Sequence, residues 1–182
     1  MKQIGVAILG FGTVGAGVAD GLLKHREVMS KRLGVDIVLR KIADLDITTD
    51  RGISVPKEVL TTDAAAAIAD ADVQIVVETI GGTGIAKKFV LDALNAKKCV
   101  VTANKKLLAE YGKEIFDTAK ANGVDIYFGA SVGGGIPIIR VLREGLAGND
   151  IESIHGILNG TCNYIRTRME NERLPFDDVP KD

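Results

Sequence analysis

Gly10-Phe11-Gly12-Thr13-Val14-Gly15 has the residue types and the spacing of a phosphate cradle. The pattern is G-x-G-x-x-G, set between an apolar run over 4–9 and a segment of helical character from Thr13. In that context each glycine has its own task. Gly10 permits a tight turn. Gly12 removes the Cβ that would hold the backbone away from a pyrophosphate. Gly15 lets helix and strand pack closely. The helix start then offers unpaired N–H groups and a partial positive charge to an anion. These residues predict a dinucleotide-binding loop. The competing reading, a glycine turn in an unrelated α/β protein, does not require strand and helix to flank it in this order.

Other positions could complete such a site. Asp44 closes the run Arg40-Lys41-Ile42-Ala43-Asp44. A carboxylate at the end of the second strand would accept hydrogen bonds from ribose hydroxyls and repel a 2′-phosphate, which favours NAD. Arg40 or Lys41 could reach a 2′-phosphate instead, so NAD and NADP both stay open. The interval from Gly15 to Asp44 is longer than the usual ~20 residues. Glu78-Thr79-Ile80-Gly81-Gly82 and Val101-Thr102-Ala103-Asn104-Lys105-Lys106 both fall at strand ends, the edge where ligands of open α/β sheets sit. Thr79 and Gly81 could touch the cofactor. A lysine at the second strand end could steady an alkoxide, orient an anionic substrate or move a proton; a solvated surface lysine is the plain alternative. Ser131-Val132-Gly133-Gly134-Gly135-Ile136 could hold an anion by its N–H groups or a hard cation by its carbonyls, and reads first as a hinge.

The elements that must position these groups alternate. Strands are predicted over 4–9, 36–43, 73–77, 99–102 and 125–128, and helices over 13–31, 84–96 and 113–121, with a further helix start at Thr62-Asp63. Strand and helix in alternation imply an α/β fold, a doubly wound parallel sheet. After residue 130 the pattern changes, to a strand over 151–158 and a helix over 161–169. The expected organisation is a nucleotide-binding domain over 1–130 and, over 131–182, the incomplete start of a second, α+β domain, because so short a stretch does not easily build its own core.

Composition closes off other classes. The chain has 182 residues, 46% apolar and 26% charged, with 23 basic against 24 acidic side chains. That is ordinary globular composition, with no basic excess for a nucleic acid. Cys99 and Cys162 make no disulfide framework. The amino terminus lacks a signal-peptide pattern, and no apolar run approaches the ~20 residues that span a bilayer. A cytoplasmic chain with neither membrane nor nucleic-acid partner is expected.

Four stretches together resemble homoserine dehydrogenase, over essentially the whole chain. They are the glycine loop, Val101-Thr102-Ala103-Asn104-Lys105-Lys106, Ala130-Ser131-Val132-Gly133-Gly134-Gly135-Ile136-Pro137, and Gly156-Ile157-Leu158-Asn159-Gly160-Thr161-Cys162-Asn163-Tyr164-Ile165. The resemblance implies a Rossmann-type fold and NAD(P)-dependent interconversion of L-homoserine and L-aspartate 4-semialdehyde, on the route to threonine and methionine. It implies that Phe11, Gly12, Thr13 and Val14 bind the pyrophosphate and that Thr79 and Gly81 line the nicotinamide side. Lys105 would lie against nicotinamide and substrate, with Gly160 and Thr161 bordering both. The carbonyls of Gly129, Val132, Gly134 and Ile136 match a structural sodium site, although Gly129 stands where a glutamate is usual. The family's substrate-binding and proton-relay residues lie beyond residue 182. The expectation is therefore a truncated, poorly active chain, with a homodimer formed by the full-length enzyme. A non-catalytic dinucleotide-binding module is the alternative.

Overall fold

The computed structural model describes residues 1–157 and 159–179. Its contacts gather into two units, Met1–Ser131 and Val132–Asp182.

The first unit runs β1 (Gln3–Leu9), α1 (Thr13–Lys24), α2 (Arg26–Leu33), β2 (Asp36–Ala43), β3 (Leu60–Thr61), α3 (Ala64–Ala69), β4 (Ile75–Glu78), α4 (Ile85–Asn95), β5 (Cys99–Thr102), α5 (Lys105–Asn122) and β6 (Ile126–Tyr127). All the strands are parallel, and their order in the sheet is β3-β2-β1-β4-β5-β6. The chain leaves β1 toward β2 and returns to its other side as β4. The winding reverses at β1, and this opens a crevice at the carboxyl ends of β1 and β4.

β1 is central because both of its faces can be buried. Val6, Ala7, Ile8 and Leu9 are all covered. Val6 and Ile8 pack with Ala16 and Ala19 of α1 and with Ile42. Ala7 and Leu9 pack on the opposite face with Val90 and Leu94 of α4 and Leu107 of α5. The two-residue period of a strand thus feeds two cores at once.

Two helices of this unit differ from the sequence reading. The helix predicted over 13–31 is two helices, broken at His25 (φ −107°, ψ 11°). α2 buries no residue, and its separate axis lets the Arg26 guanidinium reach the Asp36 carboxylate of β2 at 2.6 and 2.8 Å. α5 begins at Lys105 rather than 113, because the Asn104 side chain accepts the Leu107 N–H and caps it (3.0 Å).

The second unit contains α6 (Ile138–Arg140), a single π-helical turn over Val141–Gly145, and α7 (Gly160–Glu172). The strand predicted over 151–158 is not formed over 151–157, and Leu158 lies outside the described residues. A strand needs a neighbour to pair its N–H and C=O groups. Among the described residues none pairs with this segment, and Ile151, Ile154 and Ile157 remain exposed.

Candidate functional site

The β1–α1 turn is built from its glycines outward. Gly10 has φ +100°, and a Cβ there would come within 2.8 Å of the Thr79 carbonyl carbon. The turn can therefore be tight only with glycine. Its N–H donates to the Ala43 carbonyl at 2.8 Å. A Cβ on Gly15 would fall 1.9 Å from the Gly10 oxygen, so α1 packs against the turn without space for a side chain. Gly12 is different. Its φ is −71°, which any residue adopts, and a Cβ there would meet nothing within 4 Å. It is the N-cap of α1 and no side chain caps the helix. Thr13 and Val14 follow, both exposed, in the turn whose N–H groups have no partner within the helix.

Asp44 stands at the carboxyl end of β2 and closes the loop from the other side. One carboxylate oxygen accepts the Phe11 N–H at 2.5 Å and the other accepts the Asp46 N–H at 2.8 Å. Hydrogen bonds from Thr49 and Thr48 hold the neighbouring Asp46 carboxyl well below the usual carboxylate range, so the loop after β2 is fixed by local donors.

Arg40 lies elsewhere. It is the extra residue of β2 where the ladder passes from Val6↔Leu39 to Ala7↔Lys41. Its guanidinium donates to the Gln3 side chain at 2.7 Å, at the amino end of β1. The Lys41 ammonium is 3.4 Å from the Glu58 carbonyl.

Thr79 ties β4 to the glycine turn. Its N–H donates to the Leu9 carbonyl (2.8 Å), and its hydroxyl lies 3.1 and 2.9 Å from the carbonyls of Leu9 and Gly10. Between these parts is a cleft of about 630 Å³, a size suited to a small-molecule ligand. Gly10, Gly12, Asp44 and Thr79 line it, as the sequence reading anticipates for a nucleotide. Leu45, Ile85 and Phe89 line it too and were not singled out, and so does Asp63, read above only as part of a helix start. No lysine or arginine among the described residues does so. Gly81 sits just outside, with its N–H on the Glu78 carboxylate (3.0 Å). Lys105 is exposed in the first turn of α5 and does not line the cleft. Of the carbonyls matched to a sodium site, Gly129 belongs to the first unit and Val132, Gly134 and Ile136 to the second. Gly160 and Thr161 begin α7, which the Asn159 side chain caps through the Cys162 N–H.

Sequence reasoning missed one structural centre, at Glu78, Thr102 and Asn104. The legible sign was a carboxylate ending the run Val-Gln-Ile-Val-Val-Glu in a strand covered on both faces, which must find donors. No helix among the described residues is long and apolar enough to cross a membrane.

A parallel sheet in this order, with a glycine turn and an uncapped helix at its switch point, defines a Rossmann-type nucleotide-binding fold. The family model "Homoserine dehydrogenase, NAD binding domain" matches residues 10–129, and the model "Homoserine dehydrogenase" matches 137–182. A homoserine dehydrogenase of Bacillus subtilis is 47% identical over 182 residues, covering 100% of this chain and 42% of its own length. The crystal structure of a homoserine dehydrogenase from Thiobacillus denitrificans superimposes with a TM-score of 0.89 at 44% identity, covering 98% of this chain and 41% of that one. A hyperthermophilic archaeal homoserine dehydrogenase in complex with NADPH matches with a TM-score of 0.77 at 28% identity, over 97% of this chain and 59% of that one. The chain belongs to the homoserine dehydrogenase family and spans about two-fifths (42%) of the length of the Bacillus relative.

Proposed function

We propose that the first unit binds a nicotinamide adenine dinucleotide with its pyrophosphate over Gly12, and that a protein of the relatives' full length interconverts L-homoserine and L-aspartate 4-semialdehyde. The observation that carries the binding is Gly12: ordinary dihedrals, open space where a Cβ would be, and an uncapped helix behind it. Among the described residues nothing calls for glycine there, and an approaching pyrophosphate does.

Phe11, Gly12, Thr13 and Val14 present the loop backbone and the start of α1 to the phosphates. Asp44 and Asp63 are the charged side chains of the cleft. A ribose 2′-hydroxyl can donate to Asp44, whereas a 2′-phosphate would meet two carboxylates and no cation. NADH is therefore the favoured ligand over NADPH, and Arg40, held at Gln3, takes no part. When bound, the dinucleotide supplies the hydride exchanged with C4 of the semialdehyde. Thr79 and the loop through Gly81 border the nicotinamide end. Lys105 provides the cation that steadies the substrate oxygen as it gains alkoxide character. We assign a protein of the relatives' full length a homodimer.

These 182 residues alone should bind cofactor and turn over homoserine poorly, because they span 42% of the Bacillus relative's length. The test is a fluorescence titration with NADH and NADPH, followed by homoserine with the oxidised cofactor. NADH binding at least tenfold tighter than NADPH, with little turnover, is the expected result. Rapid turnover would remove the proposal that the chain is poorly active. Binding of neither cofactor would remove the proposed site.

A further inference from the structure

Glu78 is completely buried (0% exposed) and ends β4 directly opposite Thr102, the last residue of β5. No lysine or arginine pairs with it among the described residues; three hydrogen-bond donors satisfy it instead. One oxygen accepts the N–H groups of Ile80 (2.9 Å) and Gly81 (3.0 Å). The other accepts the Thr102 hydroxyl at 2.6 Å. Thr102 in turn accepts the Asn104 N–H (3.0 Å), and the Asn104 amide donates to the Gly82 carbonyl (2.7 Å). The circuit closes on the loop where it began. It joins two segments distant in sequence: the loop after β4, whose Thr79 and Ile80 line the cleft, and the cap of α5, which Lys105 follows.

The loop cannot hold this shape through its own contacts. Gly81 and Gly82 both have positive φ, +81° and +68°, and a Cβ on either would meet nothing within 4 Å. Two successive left-handed glycines with no packing around them have many alternatives in an unfolded or loosened chain. The Glu78 carboxylate removes those alternatives by taking two consecutive N–H groups on one oxygen.

We propose that Glu78, acting through Thr102, is a positioning residue for the nicotinamide half of the site. It fixes the loop after β4 against the start of α5, and so presets the face that receives the nicotinamide ring and places Lys105. The inference rests on the dinucleotide reading above. It does not make Glu78 a group that touches the ligand.

The test separates the two halves of the ligand. NADH and ADP share the adenosine and the pyrophosphate, and NADH alone carries the nicotinamide. The 182-residue chain is titrated with each, as wild type and as Glu78→Gln, Thr102→Val and Thr102→Ser. Glu78→Gln keeps the shape and one acceptor oxygen, but loses the charge. Thr102→Val keeps the volume and cuts the bridge to Asn104. Thr102→Ser keeps the hydroxyl. The expected result is that Glu78→Gln and Thr102→Val weaken NADH binding at least fivefold more than they weaken ADP binding, while Thr102→Ser keeps wild-type behaviour. Equal losses for both ligands would mean a general structural role and overturn the proposal, as would unchanged NADH binding. If one variant fails to fold, the remaining pair decides by the same comparison. Wild type binding neither ligand would instead bring down the dinucleotide reading, and this proposal with it.

Discussion

Replacing Gly12 by alanine should separate binding from folding. The structure gives both sides of the comparison. A Cβ at Gly12 meets no atom within 4 Å, and φ is −71°. Alanine is a poorer N-cap than glycine, which costs up to ~1 kcal/mol. Restricting the unfolded chain offsets this by about 0.4–1 kcal/mol. The net change should stay within about 1 kcal/mol, or roughly 2–4 °C in Tm for a chain of this size. Binding should respond differently. The methyl group would occupy the space we assign to a phosphate oxygen, and losing even one charge-assisted hydrogen bond costs about 1.5–3 kcal/mol. The Kd for NADH should rise tenfold or more. The assay is a thermal melt beside a fluorescence titration on the same sample. A folded Gly12→Ala chain that binds NADH like wild type would rule out a phosphate at Gly12, because the open space would then have no occupant.

The neighbouring glycine gives the opposite outcome. Gly15→Ala puts a Cβ 1.9 Å from the Gly10 carbonyl oxygen, and should destabilise folding by about 1–3 kcal/mol, read as a lower urea midpoint. Asp44→Ser removes a carboxylate from the cleft; it should weaken NADH, strengthen NADPH relative to it, and shrink the difference measured by parallel titrations. The Arg26 hydrogen bond holds the Asp36 carboxyl down at about 2, below the ordinary value of about 4. A depressed folded-state pKa stabilises above the unfolded value, and the effect is lost as pH falls from about 4 through about 2. Asp36→Asn should therefore be less stable at neutral pH and show a flatter loss over that window in denaturant unfolding.

The parts that could be read in the sequence are those whose chemistry is local. The three glycines of the turn follow one another closely, and the structure gives each a separate reason: positive φ at Gly10, open space at Gly12, close packing at Gly15. Asp44 could be placed at the end of β2 from the sequence alone, even though its interval from Gly15 is long. The length has a physical cause, since α2 is inserted between α1 and β2 and adds a helix to the usual crossover. Arg40 could not be resolved in this way. Whether a strand residue faces the ligand edge depends on register, and the irregularity between Val6 and Ala7 shifts the pairing at that point. The Glu78 circuit was out of reach for a different reason. It joins two strand ends and a helix cap that meet only after the sheet has formed. The segment over 151–157 carried the letters of a strand, but a strand is a property of two segments, and pattern alone does not supply the second.

In the proposed complex the turn from Gly10 to Gly15 and the start of α1 receive the dinucleotide pyrophosphate. The most direct measurement is an amide ¹H–¹⁵N spectrum of the isotopically labelled chain during titration with NADH. The signals of Phe11, Gly12, Thr13 and Val14 should move most, together with Asp44, and saturate with one common affinity. Saturable NADH binding that leaves those amides in place would contradict this placement of the pyrophosphate.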